Sequence, residues 1–212
     1  MNKSMKKLIS LLSALAICAG MAVCPAYAEE SGADGVFEKS IETASGNAVT
    51  EYLSEYGFTG ETVAEIEYDF SDSTVPEGKT INVPFVFKTG NGTEAARFSI
   101  TGDGDISNVN YLRTRFEYTD EKGNPNYNDL WSRTGFVEKK GKLRFLFSNT
   151  DRKLYAQYSG ETLKIDGYMG YAPFTYVSAD GAYTPVDTAS GLTQLTIGAS
   201  GAPALKLNVK IY

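Results

Sequence analysis

Apolar positions along this chain follow two different periods. Between residues 37 and 56 they recur at steps of three or four: Phe37, Ile41, Ala44, Ala48 and Tyr52 form one stripe, and Val49, Leu53 and Tyr56 a parallel one. That spacing predicts an amphipathic helix or helix pair over 35–58. Gly46 would stop its first part, Asn47 would cap the second, and Gly57 would terminate it. From about residue 62 the period becomes two. Ala64, Ile66, Tyr68 and Phe70 alternate with more polar neighbours, and Ile81, Val83, Phe85 and Phe87 repeat the pattern. Both read as strands with one buried face.

Turn chemistry connects these strands to further ones. Asn91-Gly92 predicts a hairpin into a strand carrying Ala96, Phe98 and Ile100. Leu112, Thr114, Phe116 and Tyr118 alternate next, and a long polar loop follows from Thr119 to about Asp129. Between 135 and 167 a strand through Phe136 and three further alternating segments are joined by short links: Leu143/Phe145/Phe147, Leu154/Ala156/Tyr158 and Leu163/Ile165. Such links predict a four-stranded antiparallel meander. Later strands are expected at 174–177, 192–197 and 205–211. The whole reads as mainly β, an antiparallel β-sandwich of about ten short strands over 59–212 with a short N-terminal helical element. Two tandem β-domains divided near 119–129 are the alternative.

The N-terminus changes the setting. Lys3, Lys6 and Lys7 precede an apolar run from Leu8 to Val23, and Ala26-Tyr27-Ala28 stands before Glu29. Residues 1–28 therefore read as a secretory signal cleaved after Ala28, with 29–34 a flexible start of the mature chain. Neither Cys18 nor Cys24 follows a small residue as a lipid-attachment cysteine would, and no second apolar stretch of spanning length appears. The expectation is a secreted, extracellular protein without membrane insertion after cleavage.

Both cysteines lie inside that signal, and the chain has no histidine. The exported part thus lacks the groups for Ser-His-Asp or Cys-His catalysis, thiol redox chemistry and His- or Cys-ligated metals. Loss of three lysines with the signal takes the formal net charge from −6 to −9. That balance opposes nucleic acid and anionic membrane as partners. An extracellular carbohydrate or surface protein remains.

Three groups of residues could carry a function. In 122–131, Tyr127 and Trp131 stand among Asn126, Asn128 and Asp129. Sugars stack on aromatic faces while amides and carboxylates take their hydroxyls, so this composition suits a glycan, although the same residues populate ordinary turns. The second group is Tyr168, Tyr171 and Tyr176, which do not alternate cleanly and so cannot all face one core. An exposed aromatic surface or a packed edge strand would both account for them. The third is Asp103, Asp105 and Asn108, whose oxygens could wrap calcium, or simply form a polar turn. No other cofactor is implied. The function predicted is a non-enzymatic, carbohydrate-binding module. A protein-interaction or adhesion module using a sheet edge or the helical face is the first alternative. The second is a glycoside hydrolase built on carboxylates such as Glu65, Glu67, Glu94, Glu117, Glu121 and Glu138.

Overall fold

The computed structural model describes residues 35–59, 61–73, 80–90, 93–102, 112–120, 122, 124–129, 136–148, 150–173, 175–177, 183–185 and 191–212. Its strands are β1 (Phe37–Thr43), β2 (Val49–Tyr52), β3 (Thr62–Asp69), β4 (Ile81–Thr89), β5 (Thr93–Gly102), β6 (Leu112–Thr119), β7 (Pro125–Asp129) and β8 (Phe136–Val137). They continue with β9 (Lys140–Ser148), β10 (Lys153–Gly160), β11 (Gly170–Pro173), β12 (Thr175–Val177), β13 (Tyr183–Pro185), β14 (Leu192–Ile197) and β15 (Leu205–Ile211). A six-stranded sheet runs β1-β15-β3-β9-β10-β11. A seven-stranded one runs β2-β14-β4-β5-β6-β7, with β8 also pairing β6; β12 and β13 form a separate ribbon. All these pairings are antiparallel.

The inner faces of the two large sheets share one core. Phe145 of β9 lies 5.7 Å from Phe85 of β4 and 5.2 Å from Phe98 of β5, ring centre to ring centre. Strand alternation supplies these residues: in β3 Thr62, Ala64, Ile66 and Tyr68 are buried while Val63, Glu65, Glu67 and Asp69 face outward. β15 pairs with β1 and β3, and β14 with β2 and β4, so strands from both ends of the chain are hydrogen-bonded within each sheet.

Three expectations are corrected. Residues 37–56 form β1, β2 and a 3₁₀ turn at Ser54–Tyr56, and the described residues contain no α-helix. Gly46, at φ of 79°, is a turn residue between β1 and β2, and Gly57, at φ of 65°, ends the 3₁₀ turn as its left-handed cap. The meander is shorter than its links suggested. β9 and β10 pair as expected, but Phe136 belongs to β8, whose partner is β6 in the other sheet. Glu138 and Lys139 carry the chain across a corner of the sandwich, where a short link changes sheets instead of reversing direction. Leu163 and Ile165 flank a single bridge, Ser159 to Lys164. Finally, the polar stretch 119–129 is a hairpin arm. Asp120 accepts hydrogen bonds from the Lys122 and Asn124 amides at 2.9 and 2.8 Å, closing the turn that leads into β7.

Candidate functional site

The outer face of the six-stranded sheet carries an apolar row that crosses four strands. Val63 stands opposite Leu146, Leu146 opposite Tyr155, and Tyr155 opposite Tyr171. Leu146 points away from the core, yet only 3% of its surface is exposed. At the β11 edge the row becomes aromatic. The Tyr155 ring lies 4.6 Å from Tyr168 and 5.9 Å from Tyr171, tilted by 38° and 53°. Tyr171 retains 45% of its surface. Tilted contacts at these separations are favourable for aromatic pairs.

Polar groups rim this platform. The Lys153 ammonium sits 4.4 Å from the centre of the Tyr171 ring, a cation–π distance. It also lies 3.9 Å from Asp151, whose carboxylate accepts the Tyr155 hydroxyl. The amide of Asn128, on the edge strand of the other sheet, donates to the Tyr171 carbonyl at 3.4 Å. On the side toward β9, Arg144 donates to Gln157 at 3.3 Å and lies 3.6 Å from Glu65. Burial acts to raise the Glu65 carboxyl. The hydrogen bond and charge of Lys142, with the Tyr212 hydroxyl and Arg144, outweigh it and hold Glu65 below the ordinary carboxylate value.

The sequence-predicted residues are thus partly united and partly divided. Asn128 and Tyr171, from two separate candidate groups, meet at one edge, with Tyr168 beside them. Asn126 and Asn128 stand opposite Tyr118 and Phe116, on the inward side of β7. Tyr127 lies on the opposite side, 55% exposed, with the Arg115 guanidinium 4.2 Å from its ring centre. It borders a separate depression of about 390 Å³ with Arg97 and Glu117. Asp129 and Tyr176 lie in β7 and β12. Trp131 and the calcium candidates Asp103, Asp105 and Asn108 lie outside the described residues.

Tyr155, Lys153 and Gln157 were not singled out from the sequence. Their signal was present, because they occupy the positions of β10 that alternate with Leu154, Ala156 and Tyr158. An aromatic side chain on the polar side of a strand is what an outward platform requires.

Of the carboxylates considered for hydrolysis, Glu121 lies outside the described residues and the others are engaged elsewhere. Glu94 and Glu117 both flank Arg97, at 3.0 and 3.7 Å. Glu67 accepts from Asn208 at 3.4 Å. Burial acts to raise Glu138, but hydrogen bonds from Thr162, Glu161 and Tyr158 hold it below the ordinary value. Glu65 and Glu138 are therefore kept ionised, whereas a glycosidase acid must hold its proton.

No protein family and no curated protein matches the chain. Among solved structures it is similar to a sialidase, at a TM-score of 0.44 and 12% identity, over 82% of this chain and 15% of that one. It is similar also to the CBM40 of a Ruminococcus gnavus IT-sialidase, at 0.40 and 11% over 85% and 92% of the two chains. A third is a NanB sialidase from Streptococcus pneumoniae, at 0.42 and 9% over 83% and 26%. The chain spans a small part of the two whole sialidases. At these scores and identities the likeness assigns neither a family nor a ligand.

Proposed function

We propose that the protein is an exported carbohydrate-binding β-sandwich whose site is the Tyr155/Tyr168/Tyr171 platform. One observation carries this reading: three contiguous tyrosines on the outer face of a sheet, ending in a half-exposed ring, with amide and charged groups at their rim. Pyranose rings with equatorial hydroxyls present apolar C–H faces to such rings and turn their hydroxyls toward the rim, where Gln157, Lys153 and Asn128 stand. The export part of the proposal is supported by the basic start, the apolar run and the Ala26-Tyr27-Ala28 pattern.

A glycan array of neutral pyranosides, probed with the protein and its Tyr155→Ala and Tyr171→Ala variants, tests the site. Each variant should lose roughly 2 kcal/mol of binding, the cost of removing a hot-spot aromatic. Binding that survives both substitutions would remove the platform as the site. Intact mass of the secreted chain tests export, with a start at Glu29 expected.

A further inference from the structure

Resting on that reading, we propose that the platform is one end of a trough, and that the protein takes an oligosaccharide laid along β10 instead of a single terminal sugar. The outward residues of β10 continue from Tyr155 through Gln157 to Ser159. At the rise of an antiparallel strand, Ser159 stands about 14 Å from Tyr155. A depression of about 320 Å³ follows this line. β9 flanks it on one side with Arg144 and Lys142, and residues 164–167 flank it on the other, tied to β10 by the Ser159–Lys164 bridge. The second wall leads directly into Tyr168, so trough and platform are continuous. Beyond Ser159 the trough opens into a larger depression on the same face, about 690 Å³, bordered by Glu67 and Asn208. Lys142 and Ser159 line both.

The charges along the trough indicate the class of chain it takes. Lys142 is 2.7 Å from Glu65, Arg144 is 3.6 Å from the same carboxylate, and Lys140 lies 3.8 and 3.7 Å from Asp69 and Glu161. Each of these cations faces a carboxylate, and the opposite wall adds one charge of each sign, Lys164 and Asp166, so a polyanion would meet repulsion as often as attraction. Hydroxyl groups donate and accept alike, and a lining of alternating ammonium, carboxylate and amide groups can serve both roles. A neutral pyranose chain fits: ring faces on the tyrosines, hydroxyl edges against Gln157, Ser159 and Lys142.

The test is calorimetric titration of the protein with β-1,4-linked glucose oligomers from the disaccharide to the hexasaccharide. Affinity should rise at least about tenfold along the series, equivalent to about 1.4 kcal/mol. Lys142→Met and Gln157→Ala, each checked for an unchanged melting midpoint, should bring the hexasaccharide-to-disaccharide ratio toward one. Equal affinity for both lengths, or a ratio that survives both substitutions, overturns the trough and leaves the platform standing. No binding at any length likewise overturns the trough alone, whereas binding that survives Tyr155→Ala overturns both.

Discussion

Lys39 and Glu51 close the sandwich where β1 faces β2: the lysine ammonium donates to both carboxylate oxygens of Glu51, at 2.9 Å each. Both side chains lie on the inward side of their strands, Lys39 opposite Val209 and Glu51 opposite Leu195. Glu51 keeps 11% of its side-chain surface and Lys39 keeps 51%, so one partner is nearly buried and the other reaches water. An inward charge on an edge strand also blocks the docking of a further strand, because that charge would have to be buried without a partner.

Lys39→Ala should therefore cost more than Glu51→Ala. Removing the lysine strands a nearly buried carboxylate, a penalty of about 1–3 kcal/mol. Removing the carboxylate frees a half-exposed lysine to swing into solvent, with a smaller loss. The double-mutant cycle should give a coupling near 1 kcal/mol. Urea midpoints of the two single variants and the double variant measure it. Equal costs for the two single variants would mean that the burial of Glu51 does not govern the pair.

The same two residues explain why the sequence of β1 and β2 shows a helical period. Phe37 and Ile41 are four apart, a spacing that keeps two residues on one face of a helix and on one face of a strand alike. The residue that would distinguish the periods is 39, which is inward in the strand but charged. In β2 the inward partner of Val49 is Glu51, again charged. Elsewhere the strand period is legible because inward positions are apolar, as from Ala64 to Tyr68 in β3 and from Leu143 to Phe147 in β9, and the antiparallel pairing of β4 with β5 is what the Asn91-Gly92 sequence predicts. β7 was missed because an edge strand carrying Asn on its inward side shows no alternation. Asn128 and Tyr171 were each visible as candidates. Their meeting was not, because it depends on the edges of two sheets coming together.

Tyr158 gives a prediction in the alkaline range. Its hydroxyl accepts the Glu138 amide at 2.9 Å, and Tyr68 donates to the Glu138 carbonyl at 2.7 Å, so two phenols clasp the corner between β8 and β9. A methyl on Gly141 would fall 2.6 Å from the Tyr158 ring, which explains why the neighbouring strand carries glycine there. Burial, assisted by the nearby Glu138 charge, pushes the Tyr158 hydroxyl up to about 12 from 10.0, and Tyr68 also shifts upward. A proton held more tightly in the folded state contributes stability that is complete below pH 10 and disappears as pH rises through about 12. Stability should fall by up to about 2 kcal/mol across that window through Tyr158. Tyr158→Phe should flatten part of the alkaline slope while costing about 1 kcal/mol at neutral pH. Denaturant titrations at several pH values decide it, and an unchanged slope in the variant would sink the assignment.

Adjacent residues of β9 face opposite ways, so truncating them should separate stability from binding. Phe145 lies 5.0 Å from Phe87, 5.2 Å from Phe98 and 5.7 Å from Phe85, where the two sheets meet. Phe145→Ala should cost about 3–5 kcal/mol, a large part of the roughly 5–15 kcal/mol that holds a domain folded. Leu146 is equally well buried but stands under the platform, between Val63 and Tyr155. Leu146→Ala should cost less stability, about 2 kcal/mol, because its half-buried neighbours can collapse into the space more easily than a closed core can. It should also loosen the Tyr155 ring and weaken glycan binding, whereas any folded fraction of Phe145→Ala should bind normally. Melting curves paired with titrations test the contrast. If Leu146→Ala binds as tightly as the parent while melting lower, Leu146 only packs the sheet and the platform holds its shape without it.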